Sequence, residues 1–152
     1  MSQVPIGSST SQSLPKRNLD PIRSAIVAEV RSLIGVPFLH KGRTRNGIDC
    51  VGVIKAAIEA GLGPQPDFDD YPLVPASVAV FAALSDRADR VLKENALPGD
   101  IVVMTVDGKS AHVGIQTDRG VVHATRITKR VTEDRYGFPV AFYRFRGVPA
   151  CP

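Results

Sequence analysis

The chain changes its pattern once, at Leu97–Asp100 (LPGD), and this change constrains the fold more than any other feature of its 152 residues. Before it, apolar residues recur at the spacing of an amphipathic helix, most clearly within Pro21–Ile34. After it, short β-branched and aromatic runs are separated by turn residues. Helices followed by antiparallel strands are typical of the α+β class, which we therefore predict.

The same patterns predict the individual elements. Asp20 and Pro21 mark a helix start, because Asp caps a helix and Pro suits its first position, and Gly35 marks its end. We expect three helices, at Pro21–Ile34, Cys50–Ala60 and Ala76–Leu84. We expect four strands, at Ile101–Thr105, Ala111–Gln116, Val121–Thr125 and Val140–Phe145. Val36–Asp49 and Pro64–Pro75 are expected to be loops, and Arg87–Leu92 fits either a helix or a strand.

The chain is expected to comprise an arm and one domain. Residues Met1–Asn18 are rich in Ser, Gln and Pro and nearly free of large apolar side chains, so we predict a flexible or partner-bound arm. Residues 19–152 are predicted to form a single domain with its own core. Two cysteines exclude a disulfide scaffold, and Cys151, near the chain end, is expected to be an unimportant free thiol.

Charge and hydropathy restrict the partners. The formal net charge of +4 favours a polyanion such as nucleic acid or an acidic cell envelope. With no Trp and 6% aromatic residues, the chain lacks the stacking groups of a single-stranded nucleic-acid binder, and we expect no nucleic-acid partner. No apolar run approaches the ~20 residues of a membrane span. The first residues lack the apolar stretch of a signal peptide, so synthesis in the cytoplasm without a signal peptide is expected.

Cys50 is the first candidate for a reactive side chain. It follows Asp49 and begins the second predicted helix. A thiol in a first helical turn lies near unpaired backbone N–H groups and the positive end of the helix dipole, and both favour the thiolate. The same N–H groups can hold an oxyanion beside the sulfur. The alternative interpretation is a buried cysteine that packs as a small hydrophobic residue.

Two of the three histidines of the chain fall on neighbouring predicted strands. The four residues Thr117–Gly120 between these strands fit a hairpin turn that places Gln116 opposite Val121. In that register His112 and His123 lie diagonally on one face of the sheet, ~7–8 Å apart between backbones. An odd number of turn residues would place them on opposite faces. The spacing therefore predicts that the two rings meet.

A thiol and two imidazoles on one face indicate nucleophilic catalysis. In this hypothesis Cys50 attacks a carbonyl carbon, and His112 accepts its proton and returns it to the leaving amine. His123 holds the His112 ring in the useful tautomer and stabilises its charged form. Taken singly, each histidine is better explained as a structural residue.

Four blocks of sequence, in this order and with compatible gaps, resemble the NlpC/P60 cysteine peptidases. They are Gly47–Ile54 (GIDCVGVI), Leu97–Ile101 (LPGDI), His112–Ile115 (HVGI) and Val122–Ala124 (VHA), within a similarity that extends from about Ile22 to Phe145. The resemblance implies a small papain-like α+β fold, with N-terminal helices packed on a C-terminal antiparallel sheet, that works without a metal or cofactor. It implies hydrolysis of peptide bonds in peptidoglycan stem peptides, typically between D-Glu and a diamino acid. It makes Cys50 the nucleophile, His112 the base and His123 the third polar residue.

Four further residues are candidates for substrate binding. Asp49 can cap the Cys50 helix, and the resemblance implies that it can also bind an amine or amide of the stem peptide. His40 is either a rim residue that contacts substrate or an exposed loop histidine. The family often has Ser where this chain has Val51, and Tyr where it has Phe38, which has no hydroxyl to donate. We expect these two differences to affect substrate preference and rate.

The segment Gly35–Arg43 (GVPFLHKGR) resembles the subset of the family encoded beside tail genes of bacteriophages and gene transfer agents. That resemblance implies a component of a phage-like tail that helps the tail to pass the cell wall. Phage-like tail proteins are then the expected partners, bound through Met1–Asn18, and the peptidoglycan stem peptide is the expected substrate.

Three other functions stay open. The chain can be a non-enzymatic structural tail-tip protein that retains the peptidase fold. Cys50, His112 and His123, with His40, are suitable zinc ligands, although the short spacing of zinc motifs is missing and we expect no metal. Related thiol acyltransferases and amidases use the same Cys–His chemistry and rank lowest, because their helix-start pattern usually differs.

Overall fold

Helices precede a sheet in the computed structural model, which describes residues 19–105, 110–135 and 139–151. Within these residues the helices are α1 (Pro21–Ser32), α2 (Cys50–Leu62) and α3 (Ser77–Ser85), with a 3₁₀ turn at Lys93–Asn95. The strands are β1 (Arg43–Thr44), β2 (Gly47–Ile48), β3 (Ala88–Val91), β4 (Ile101–Thr105), β5 (Ala111–Gln116), β6 (Val121–Thr125), β7 (Arg130–Asp134) and β8 (Pro139–Phe145). The predicted α+β class is confirmed.

Helices α1 and α2 each begin at a capping aspartate. Asp20 Oδ1 accepts the backbone N–H of Ile22 at 2.8 Å, as predicted for the start of α1. The predicted end of α1 is two residues too late, because Gly35 turns the chain with φ +94° and donates its N–H to the carbonyl of Val131. Ile34 therefore lies outside the helix and is 47% exposed.

The α2 helix extends two residues beyond its predicted end. It closes at Gly63, whose φ of +87° lies in the left-handed region that glycine tolerates. Gly61 lies inside the helix at a close approach to α1, where a Cβ would lie 2.9 Å from Ile22 Cγ2. A side chain at residue 61 would therefore push the two helices apart.

Six antiparallel strands form the main sheet in the order β3-β8-β4-β5-β6-β7 over the described residues. The predicted pairing of Gln116 with Val121 is confirmed, and Ile115 faces Val122 in the same hairpin. The ambiguous segment at 87–92 forms strand β3, and β7 is a strand that was not predicted. Both lie at the edges of the sheet. The loop predicted at 36–49 contains the small β1–β2 ribbon.

The sheet buries one large and one small apolar cluster. Side chains of β4 alternate between the two faces of the sheet. Ile101 and Val103 pack in the large cluster, whereas Val102 and Met104 pack in the small one. The large cluster also holds the apolar faces of α1 and α2. The α2 helix packs over β5 and β6, so the start of α2 lies beside the strands that carry His112 and His123.

A buried ion cluster ties the LPGD segment to both ends of the fold. The Asp100 carboxylate is fully buried and accepts hydrogen bonds from Arg23 of α1 at 3.0 Å and from Arg144 of β8 at 2.8 and 3.0 Å. Its Oδ2 also accepts the N–H of Leu97 at 2.8 Å. The LPGD segment, where the sequence pattern changes, is therefore also where ion pairs of Asp100 join helix α1 to strand β8.

The proposed arm, Met1–Asn18, lies outside the described residues, and the boundary between arm and domain at 18/19 stays a prediction. Over the part of the chain that the structure describes, no helix is long and apolar enough to cross a membrane.

Candidate active site

Cys50 lies where the start of α2 meets the sheet. Asp49 caps the helix through a 2.9 Å hydrogen bond from Gly52 N–H to its Oδ1. The Cys50 sulfur accepts the backbone N–H of Val113, the residue after His112 on β5, and the N–H groups of Cys50 and Val51 also interact with it. The sulfur thus lies against the strand that carries the predicted base.

The two predicted imidazoles meet. His112 Nε2 and His123 Nδ1 are 2.7 Å apart, and the ring centroids are 4.9 Å apart. Their approach depends on Gly114, where a Cβ would lie 3.0 Å from His123 Cβ and 2.8 Å from the carbonyl oxygen of Val122. With Nε2 engaged by His123, Nδ1 is the nitrogen of His112 that remains for the thiol.

The electrostatics of the pair differ from the sequence prediction. Burial of the sulfur, reinforced by the negative charge of Asp49, raises the pKa of the Cys50 thiol to about 11, although the surrounding N–H groups lower it. Burial, and then the neighbouring His123, lowers the pKa of His112 to about 4. The backbone N–H groups thus act in the predicted direction, but desolvation outweighs them, and the thiol is favoured instead of the predicted thiolate. Cys50 is therefore a neutral thiol and His112 a neutral imidazole at neutral pH.

Sequence reasoning missed a carboxylate at the far side of the histidine pair. His123 Nε2 lies 3.0 Å from Asp134 Oδ2, and the hydroxyl of Thr132 donates to the same oxygen at 2.6 Å. Both residues belong to β7, in which Thr132 lies directly opposite His123. The signal was available in the sequence as the polar alternation of Thr132 and Asp134, but it required recognising β7 as a strand.

The Asp49 carboxylate has its acceptor sites filled. Oδ1 accepts from Gly52 N–H at 2.9 Å and from Arg43 Nη1 at 3.0 Å, while Oδ2 accepts from Lys41 N–H at 2.7 Å and from the Tyr71 hydroxyl at 2.6 Å. Its predicted capping role is confirmed. The predicted contact with substrate stays a prediction, and a substrate amine would have to compete with these four donors.

Tyr71 and Arg43 also escaped the sequence analysis as site residues. Arg43 Nη2 donates to the Tyr71 hydroxyl at 2.7 Å, and its Nε lies 3.0 Å from Asp67. Burial and the hydrogen bond to Asp49 raise the pKa of Tyr71, so the hydroxyl keeps its proton and donates it to Asp49. Through its contacts with Asp49, Tyr71 and Asp67, Arg43 attaches the segment at 67–71 to the start of the helix that carries Cys50.

A cavity of about 720 Å³ opens in front of the sulfur. It lies between α2, the connection at 65–75, α3, and strands β5 and β6, and its lining includes Cys50, His112 and His123. All four predicted substrate-binding residues, Phe38, His40, Asp49 and Val51, also line it. Their presence in the lining is compatible with substrate contact and leaves that role a prediction.

His40 lies at the rim of the cavity. Its side chain is 34% exposed, its Nδ1 is 4.0 Å from Asp49 Oδ2, and its ring meets the Tyr71 ring edge-on. As for the zinc alternative, the described ranges contain no group of three or more His, Cys, Asp or Glu side chains arranged to hold a metal ion.

The structure brings together a thiol at a helix start and an imidazole pair on the strands over which that helix packs. A model of the NlpC/P60 family matches residues 35–141, which is most of the chain. The chain belongs to the NlpC/P60 family. No curated protein matches the sequence.

Solved structures of the family share the fold. The chain is similar to the NlpC/p60 domain of the peptidoglycan hydrolase SagA, with 22% identity and a TM-score of 0.59 over 81% of this chain and 98% of that one. It is similar to the peptidoglycan hydrolase RipB from Mycobacterium tuberculosis, with 22% identity and a TM-score of 0.59 over 90% of this chain and 69% of that one.

RipD from the same organism is also similar, with 19% identity and a TM-score of 0.55 over 84% of this chain and 98% of that one. It is described as a non-catalytic domain adapted to peptidoglycan binding. Identities at this level establish the fold, and they leave activity to be argued from the site.

Proposed function

We propose that the chain is a cysteine peptidase that hydrolyses peptide bonds in peptidoglycan stem peptides, at the bond between D-Glu and a diamino acid. The observation that carries the proposal is the Cys50 sulfur, which lies against β5 beside the His112–His123 pair and lines the same cavity. The family match and the description of SagA and RipB as peptidoglycan hydrolases support the substrate class.

In the proposed reaction a neutral pair becomes charged only when substrate is attacked. The Cys50 sulfur bonds to the carbonyl carbon while its proton passes to His112. The carbonyl oxygen gains the negative charge, which the N–H groups at the start of α2 are placed to receive. The imidazolium then gives the proton to the leaving amine, which departs and leaves a thioester on Cys50. Water, deprotonated by His112, hydrolyses the thioester and restores the thiol.

The test compares two cysteines of the chain on the same substrate. Purified peptidoglycan is incubated with the wild type, Cys50→Ala or Cys151→Ala, and the released fragments are identified by mass spectrometry. We expect fragments with free D-Glu carboxyl and diamino acid amine ends from the wild type and from Cys151→Ala. Cys151 is exposed and does not line the cavity, so its loss should not affect hydrolysis. Cys50→Ala should release none.

Equal release by Cys50→Ala would contradict the assignment of the nucleophile. A folded wild type that binds peptidoglycan and releases nothing would contradict the peptidase proposal and place the chain with binding domains such as RipD. A fragment cut at another bond would contradict the proposed D-Glu–diamino acid specificity while leaving the thiol chemistry in place.

We further propose that the protein is made in the cytoplasm and acts as a component of a phage-like tail, attached through Met1–Asn18. The support is the sequence resemblance of Gly35–Arg43 to tail-associated members and the composition of the arm. Deletion of residues 2–18 should leave hydrolysis of soluble stem peptides unchanged and lower incorporation into tails, measured by immunoblot of purified particles. Unchanged incorporation would contradict the role of the arm.

A further inference from the structure

The hydrogen-bonded series at the active site continues beyond the two histidines. His112 Nε2 contacts His123 Nδ1 at 2.7 Å, and His123 Nε2 contacts Asp134 Oδ2 at 3.0 Å. Asp134 is the last residue of β7 and is held by the hydroxyl of Thr132 at 2.6 Å. Both nitrogens of His123 are therefore engaged, one by an imidazole and the other by a carboxylate.

The carboxylate decides which nitrogen of His123 carries the proton. The Thr132 hydroxyl, and then His123, hold the pKa of Asp134 below its usual range, so the group is ionised at neutral pH. An ionised carboxylate only accepts hydrogen bonds, so His123 Nε2 must donate. A neutral imidazole with a proton on Nε2 has a lone pair on Nδ1. In the neutral ring, His123 Nδ1 is thus an acceptor.

The tautomer of His112 follows from that of His123. Because His123 Nδ1 accepts, the nitrogen that faces it, His112 Nε2, must carry a proton and donate it. The burial that lowers the pKa of His112 to about 4 keeps this ring neutral. Its Nδ1 is then a bare lone pair, which is the form that a base for the Cys50 thiol requires. The opposite tautomer would present an N–H to the sulfur and could not accept its proton.

We propose that Asp134 is a positioning residue that fixes the tautomers of both histidines, so that the site is a Cys–His–His–Asp series. The role in catalysis rests on the proposed peptidase function, whereas the tautomer assignment does not. Asp134 acts through His123 and does not touch the substrate. Since its side chain is 52% exposed, we expect its removal to cost less than removal of His112, roughly a 10-fold fall in kcat.

The experiment measures tautomers and turnover in the same proteins. The wild type, Asp134→Asn and Glu133→Gln are labelled with ¹⁵N-histidine, and long-range ¹H–¹⁵N spectra at neutral pH assign the protonated nitrogen of each ring. Glu133 is the matched control, because it is the neighbouring carboxylate of β7 and contacts Arg31 instead of His123. An Asn side chain can donate to His123 Nε2, which allows the reverse tautomers.

We expect protons on Nε2 of both His112 and His123 in the wild type and in Glu133→Gln. Asp134→Asn should lose this preference at both rings, and its kcat should fall roughly 10-fold with KM unchanged. A proton on Nδ1 of either ring in the wild type, or unchanged tautomers in Asp134→Asn, would overturn the proposal.

The spectra also separate this proposal from the proposed function. If the wild type hydrolyses no stem peptide, the peptidase proposal fails while the tautomers still decide the role of Asp134. Circular dichroism establishes that each variant is folded. Should Asp134→Asn fail to fold, the wild-type spectrum and that of Thr132→Val, which retains the carboxylate and should keep both Nε2 protons, test the assignment.

Discussion

At Cys50 and His112, burial determines the chemistry more than the helix start does. The pKa values of about 11 and about 4 place the proton on sulfur and leave the imidazole free. In the proposed reaction, proton transfer therefore accompanies attack on the substrate instead of preceding it.

A pH profile tests this neutral pair. Activity requires the unprotonated form of His112, and a lowered pKa means that this form persists to lower pH. The value of kcat/KM for a stem peptide should rise with pH through about 4 and then stay level to about pH 9. The rate is measured on a substrate without groups that titrate in this range, with circular dichroism to verify the fold. An acid limb at ~6.5, the ordinary pKa of histidine, would contradict the account.

The two histidines should differ in how much they matter. His112→Ala removes the base and should lower kcat by roughly 10²–10⁴-fold. His123→Ala leaves the base and removes its hydrogen-bond partner, so the fall should be smaller, on the order of 10-fold. Steady-state rates of both variants on one peptide decide the order. A larger loss in His123→Ala would mean that the two roles are exchanged.

Among the candidate site residues, those that could be predicted from sequence share a local signal. Cys50 was found from its place at a helix start, and His112 and His123 from strand alternation and the length of the turn between them. Tyr71 lacked such a signal, and the polar alternation that marks Asp134 is informative only once β7 is recognised as a strand. Each reaches the site from another element, so its contact depends on how strand or loop is placed in three dimensions.

The bounds of the central strands, which bury side chains on one or both faces, could be predicted from the sequence almost to the residue. The apolar runs of β4, β5 and β6 have the bounds that β-branched patterning predicted, and β8 begins one residue earlier. The edge strand β7 (Arg130–Asp134) was not predicted because it is mostly polar. It forms by pairing with β6, a contact that its own sequence does not indicate. The apolar pattern of a sequence reflects how much of each strand is buried, and edge strands bury fewer side chains than central strands.

The ion cluster that joins α1, β4 and β8 should dominate the stability of their junction. Asp100→Ala leaves the fully buried Arg23 and its neighbour Arg144 without their shared carboxylate. Breaking a buried pair in this way costs about 3–5 kcal/mol of unfolding free energy. Urea unfolding followed by circular dichroism measures the change, and the slope against urea concentration should stay the same.

An exposed ion pair provides the control for that measurement. Asp89 lies 3.2 Å from Arg146 with its side chain 72% exposed, so Asp89→Ala should change the unfolding free energy by less than about 1 kcal/mol. Equal effects of Asp89→Ala and Asp100→Ala would show that the buried cluster does not hold the elements together.

The order of the elements explains why the site forms where it does. Strands β5 and β6 lie inside the sheet, and α2 packs over them with Cys50 at its start. The sheet thus holds His112 and His123 side by side, and the helix that packs over them begins at Cys50. RipD shares the fold and is described as non-catalytic, so the fold alone does not establish activity in this chain.

The measurement that decides whether this fold acts as a thiol hydrolase is the capture of the covalent intermediate. A D-Glu–diamino acid stem peptide is mixed with the protein, quenched in acid within the first turnover, and analysed by intact mass and peptide mapping. The account predicts an acyl adduct on Cys50, absent in Cys50→Ala and present in Cys151→Ala. Release of the amine product with no adduct on Cys50, or an adduct confined to Cys151, would contradict it.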